Sequence, residues 1–105
     1  MQKMDIEQEV RKLRAEGYTE GELAIEPLWY VIWEPDHIAE YNKDYEVDKY
    51  APGFVAFGSN GGNELLVTND SGAIFMLPAI GMEPDCAEEI AENFDCLKQH
   101  MAQGI

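Results

Sequence analysis

Residues 53–82, "GFVAFGSNGGNELLVTNDSGAIFMLPAIGM", constrain the fold more than any other part of the chain. Three short apolar segments, "FVAFG" (54–58), "ELLVT" (64–68) and "AIFMLPAI" (73–80), are separated by clusters of Gly, Asn, Ser and Asp. Segments this short suit strands, and gaps of a few turn-forming residues can close antiparallel hairpins but not parallel crossovers. Asn60-Gly61 is a hairpin-turn dipeptide, because both residues tolerate positive φ. "TNDSG" (68–72) reads as an Asx-type turn, since it lacks the alternating acids and terminal Glu of a calcium loop.

The glycines of "GSNGGNE" (58–64) invite a phosphate-loop reading, which the neighbouring residues oppose. A phosphate loop feeds into a helix N-terminus and usually supplies a Lys, whereas a strand-like segment follows here and no base is near. Their role is therefore expected to be structural.

Elsewhere, "MDIEQEVRKLRAE" (4–16) places Ile6, Val10 and Leu13 on one helical face, and Gly17 is a natural stop. A short strand is expected at Leu23–Ile25. "LWYVIW" (28–33) is continuously apolar and predicts a strand buried on both faces. Trp29, Val31 and Trp33 share one parity and are expected in the core, with Trp33, beside acids at the strand end, the better anchor for a partner. A short helix is expected over 34–43, then a loop or irregular strand through "DYEVDKYAPGF". At the C-terminus, Pro84, Asp85 and a capping-box Glu88 precede an apolar stripe of Ala87, Ile90, Ala91, Phe94, Leu97 and Met101, predicting one long helix over a sheet face. The order is that of a single α+β domain spanning residues 1–105, with a largely antiparallel sheet covered by an N-terminal and a long C-terminal helix.

Charge narrows the function classes. The chain has 21 Asp and Glu against 7 Lys and Arg, a formal net of -14. Acids cancel bases within the first 17 residues, so the excess belongs to residues 18–105. Such a surface repels phosphate backbones, so direct nucleic-acid binding is disfavoured and not expected, and it attracts basic protein surfaces. No apolar run approaches the roughly 20 residues of a membrane helix, and the charged N-terminus carries no secretion signal, so the expected location is the cytosol with no membrane partner. Cys86 and Cys96, about 15 Å apart along one expected helix, are beyond disulfide reach and read as reduced thiols. Neither they nor His37 and His100 form a metal or nucleophile motif, so no metal, cofactor or catalytic residue is assigned and the chain is not read as an enzyme.

The residues "YEVDKYAPGFVAFGSNGGNELLV", then "LPAIGM", then "DCAEEIAENFDCL" resemble the SUKH superfamily (Smi/Knr-like), and "LWYVIWEPDHIAEYNKDY" is similar to its upstream segment. The resemblance covers roughly residues 20–100. Its long N-terminal helix and "LPxxY…F" opening are not found here, so residues 1–19 are expected to be atypical, shortened or different in role. Gly58, Gly61 and Gly62 match the family's glycine turn, Glu64 its following acid, and Pro78 and Gly81 the bend that follows. With Asn60, all but Glu64 are expected to be turn and scaffold positions. Asn63 stands where a third glycine is frequent.

The resemblance implies a non-catalytic α+β fold and, for bacterial members, an immunity protein that binds and neutralises a toxin, often a nuclease. The expected partner is accordingly a protein toxin with a basic surface, met by Trp33, Asp36, Asp44, Glu46, Asp48, Glu64 and Asp70. The alternative is a regulatory or scaffold module like the fungal cell-wall-synthesis regulators of the superfamily. A hydrolase or ligand-binding domain outside the family would need a convergent pocket that the residues do not name. An exposed sheet edge or uncovered face offers a route to a homo-oligomer.

Overall fold

The computed structural model describes residues 6–101, and the expected α+β class and antiparallel sheet are both present. The elements run α1 (Ile6–Ala15), β1 (Glu20–Glu22), β2 (Trp29–Ile32), α2 (Ile38–Tyr45), α3 (Val47–Tyr50), β3 (Val55–Ser59), β4 (Glu64–Thr68), β5 (Ile74–Pro78), β6 (Glu88–Ala91) and α4 (Phe94–His100). Two 3-10 turns, Pro35–His37 and Pro84–Cys86, precede α2 and β6. The six strands form one sheet in sequence order, each antiparallel to the next.

β4 lies inside the sheet and is buried from Leu65 to Thr68. Strand alternation sends Leu66 to one face, where Val10 and Leu13 of α1 and Phe94 and Leu97 of α4 join it with Tyr30, Ile32 and Phe57. Leu65 and Val67 point to the other face and pack with Val47 of α3, Ala51, Leu77 and Met82. The sheet thus has an apolar layer on each side. α1 ends as expected: Gly17 takes φ 98, and the Tyr18 N–H donates to the Leu13 carbonyl at 2.9 Å, a Schellman closure. Residues 4 and 5 of the expected helix lie outside the described residues.

The β3–β4–β5 meander follows the turn chemistry. Asn60 Oδ1 accepts from the Gly62 N–H at 2.8 Å and the Glu64 N–H at 3.2 Å, while Gly61 alone of the pair adopts positive φ, 80°. Asn69 closes the second turn as an Asx turn, its Oδ1 accepting from the Ser71 N–H at 3.0 Å. Gly58 sits where the register slips between Ala56 and Gly58, and β2 approaches so closely there that a Cβ would collide with the Val31 carbonyl oxygen.

Several expectations are corrected. The long C-terminal helix does not form: Glu88–Ala91 is a strand paired with β5, and only Phe94–His100 is helical. β5 would otherwise present an unpaired edge, and Asn93 starts α4 by accepting from the Cys96 N–H at 2.8 Å. The apolar stripe is still buried, with Ala91, Phe94, Leu97 and Met101 in the core and Ile90 packed against it. Cys86 and Cys96 are free thiols, but they belong to different elements, so separation along one helix is not the reason. β2 is not buried on both faces. Tyr30 and Ile32 enter the core, whereas Trp29 is 38% exposed and Val31 half-buried, because their parity faces Glu20 and Glu22 of the short outer strand β1. The strand expected at Leu23–Ile25 lies earlier, and the segment read as loop contains α3.

Candidate functional site

The junction between α2 and α3 shapes one wall of a surface groove. α2 stops at Tyr45 because Glu46 enters the left-handed region at φ 57, ψ 42, with its N–H returned to the carbonyls of Asn42 and Lys43. The chain reverses there and starts α3, which carries Tyr50 at its end. Across from it, Gly81 at φ 72 bends the segment after β5. Between them lies a groove of about 630 Å³ lined by Asp44, Tyr45, Glu46, Tyr50, Met82 and Glu83. Its walls therefore combine three carboxylates, two tyrosine rings and an apolar floor residue.

α2 is fixed to the sheet by Asn42. Its Nδ2 donates to the carbonyl of Ile38 at 2.7 Å and of Ala56 at 2.8 Å, and its Oδ1 accepts from the Ala56 N–H at 2.8 Å. Tyr45 is supported from behind. Tyr45 stacks on Trp33 with ring centroids 6.1 Å apart and planes 3° from parallel, and Tyr41 meets the same indole edge-on at 5.0 Å. Trp33 packs against the second core layer, so its ring buttresses Tyr45 instead of lining the groove. Tyr45 and Tyr50 are 41% and 46% exposed.

One cation already sits at the groove's rim. Lys49 Nζ is 3.7 Å from Glu46 Oε2 and 5.1 Å from the centre of the Tyr50 ring. Carboxylate attraction and the negative face of an aromatic ring both favour a cation there.

Of the residues named from the sequence, Asp44 and Glu46 are brought together in the groove. Asp48 is on exposed α3 but does not line it. Asp36 lies in the 3-10 turn before α2, 3.8 Å from Arg11 NH2 of α1 and at the other end of α2 from Asp44. Glu64 shares the parity of Leu66 and so leaves the sheet on the opposite face, with Oε1 3.5 Å from Asn60 Nδ2. Asp70 occupies the turn at the other end of β4 from Glu64. The acids expected to act together are thus dispersed over four regions. Tyr45, Tyr50 and Glu83 were not named, although "DYEVDKY" (44–50) interleaves two tyrosines with acids in a way that points to them.

A smaller depression of about 330 Å³ between β6 and α4 is lined by Glu89, Ile90, Glu92, Cys96 and His100. Among the described residues no three His, Cys, Asp or Glu side chains converge as a metal site would require, and no helix is long and apolar enough to cross a membrane. No family model matches the chain, and no curated protein is significantly similar to it.

Proposed function

We propose that this chain is a non-catalytic binding protein acting in the cytosol, an immunity protein that neutralises a basic protein toxin by occluding it. The observation that carries the reading is the groove, in which Tyr45 and Tyr50 stand among Asp44, Glu46 and Glu83 on a chain of net charge -14. Nuclease toxins hold nucleic acid with Lys and Arg, and an acidic surface with exposed aromatic rings suits such a partner in both charge and stacking. Complementary potentials speed encounter and weaken with salt, whereas apolar and ring contacts slow dissociation. Resemblance to SUKH immunity proteins supports the same assignment.

The test is to express the toxin-like domain encoded beside this gene with and without this protein, scoring growth and co-elution at low and moderate salt. Growth rescue with a salt-sensitive complex is the expected result. Absence of both rescue and complex would remove the reading.

A further inference from the structure

The rim of the groove carries a cation supplied by the chain itself, and its partners are two of the groove's own walls. Lys49 Nζ stands 3.7 Å from Glu46 Oε2 and 5.1 Å from the Tyr50 ring centre, on a side chain that remains largely exposed. Neither contact is strong: an exposed ion pair and an exposed cation–π contact are each easily exchanged. The ammonium therefore marks a position that favours positive charge without closing it.

We propose that the groove receives an arginine side chain of the partner, and that Lys49 is a tethered competitor which must leave as the guanidinium enters. This rests on the binding-protein reading and names the chemistry of its contact. Arginine fits better than lysine for a geometric reason. A planar guanidinium can lie on a tyrosine face while its edge donates to carboxylates, and Asp44 and Glu46 from the α2–α3 junction and Glu83 from the segment after β5 supply acceptors. The Trp33 ring stacked behind Tyr45 holds that wall in place, which lowers the cost of ordering the Tyr45 ring in the binding step. Displacement of Lys49 offsets part of the gain, which sets the affinity below what the open groove would give.

The full chain, isotope-labelled for NMR, would be titrated at low salt with blocked Gly-Arg-Gly, Gly-Lys-Gly and Gly-citrulline-Gly peptides, citrulline being the neutral counterpart of arginine. The arginine peptide should shift amides of residues 44–50 and 79–83, the lysine peptide less, and the citrulline peptide not at all. Lys49→Met should tighten arginine-peptide binding about threefold or more, the size expected for releasing two weak surface contacts. Lys43→Met makes the same change in net charge on α2, whereas only Lys49 places its ammonium on the groove walls Glu46 and Tyr50, and it should tighten binding by less than about half that factor. Shifts centred elsewhere, or equal effects of the two methionine variants, would overturn the proposal. Toxin rescue is scored separately, so a failed peptide titration beside intact rescue rejects the arginine site and leaves the binding-protein reading standing.

Discussion

The side chain of Asn42 brackets the peptide of Ala56, donating through Nδ2 to its carbonyl and accepting through Oδ1 from its N–H, both at 2.8 Å. Ala56 is paired with Val67 of β4, but β2 pairs with β3 only at Ser59 and Gly58, and on that open side the Asn42 amide takes the place of a strand neighbour. The same contact holds α2, and with it the groove, against the sheet. Asn42→Ala would leave both polar groups of a fully buried residue without partners, each worth about 1–3 kcal/mol. We expect a loss of about 2–4 kcal/mol by urea unfolding. Asn42→Asp should cost at least as much, because a carboxylate would face the Ile38 and Ala56 carbonyls that Nδ2 now serves. An aspartate variant as stable as the parent would dismiss this account.

Gly58 and Gly62 should respond very unequally to one added methyl group. At Gly58 a Cβ would run into the Val31 carbonyl oxygen, a backbone atom that cannot turn aside. At Gly62 the nearest neighbour would be Asn60 Oδ1 at 3.4 Å, an ordinary contact. Gly58→Ala is expected to cost about 3 kcal/mol or more, and Gly62→Ala about 0.5 kcal/mol or less. Comparable thermal midpoints for the two variants would contradict the close approach of β2 and β3.

These positions also show which parts of the fold were readable from the residues. The meander was legible because its turn geometry is local: the side chains of Asn60 and Asn69 bond a backbone two to four residues away, and Gly61 supplies the positive φ. The C-terminal segment was not, because Ala87, Ile90, Ala91 and Phe94 suit a helical stripe, whereas the need of β5 for an edge partner is a tertiary fact. Asn93, a helix-capping residue inside the expected helix, was the available local signal. The site was legible only in part. Asp44 and Glu46 were named for their charge, but the groove depends on the left-handed turn at Glu46 and on Asn42 reaching across to Ala56. An Asn within a helix gives no local sign of such a distant partner.

Alkaline pH should weaken the fold through Tyr30 and Lys98. Burial lifts the Tyr30 phenol above its ordinary value, with Tyr18 adding to the shift. The hydrogen bond to Glu16 raises Lys98, against an opposing effect of desolvation. Both folded-state values exceed the unfolded ones, so the unfolded chain releases these protons first as pH climbs. Their contribution is intact below about pH 10 and is lost as pH rises through the folded values. Urea midpoints measured from about pH 8 to 11 should fall at the upper end, and Tyr30→Phe should flatten that fall. A variant curve parallel to the parent's would exclude Tyr30 from it.

Glu46 should trade stability against binding. Its left-handed backbone, φ 57 and ψ 42, is costly for a residue with a long side chain, by about 1 kcal/mol, and Asn tolerates it better. Replacement also removes the exposed pair with Lys49, worth only about 0.5 kcal/mol. Glu46→Asn is therefore expected to raise unfolding stability by about 0.5 kcal/mol while weakening the arginine-peptide affinity severalfold. The two quantities can be measured on one preparation, by urea unfolding and by the NMR titration. Strain kept at a groove wall has a functional explanation only if the carboxylate contacts the ligand. Unchanged affinity in a stabilised variant would leave the left-handed glutamate without one, and shift the binding contact to Asp44 and Glu83.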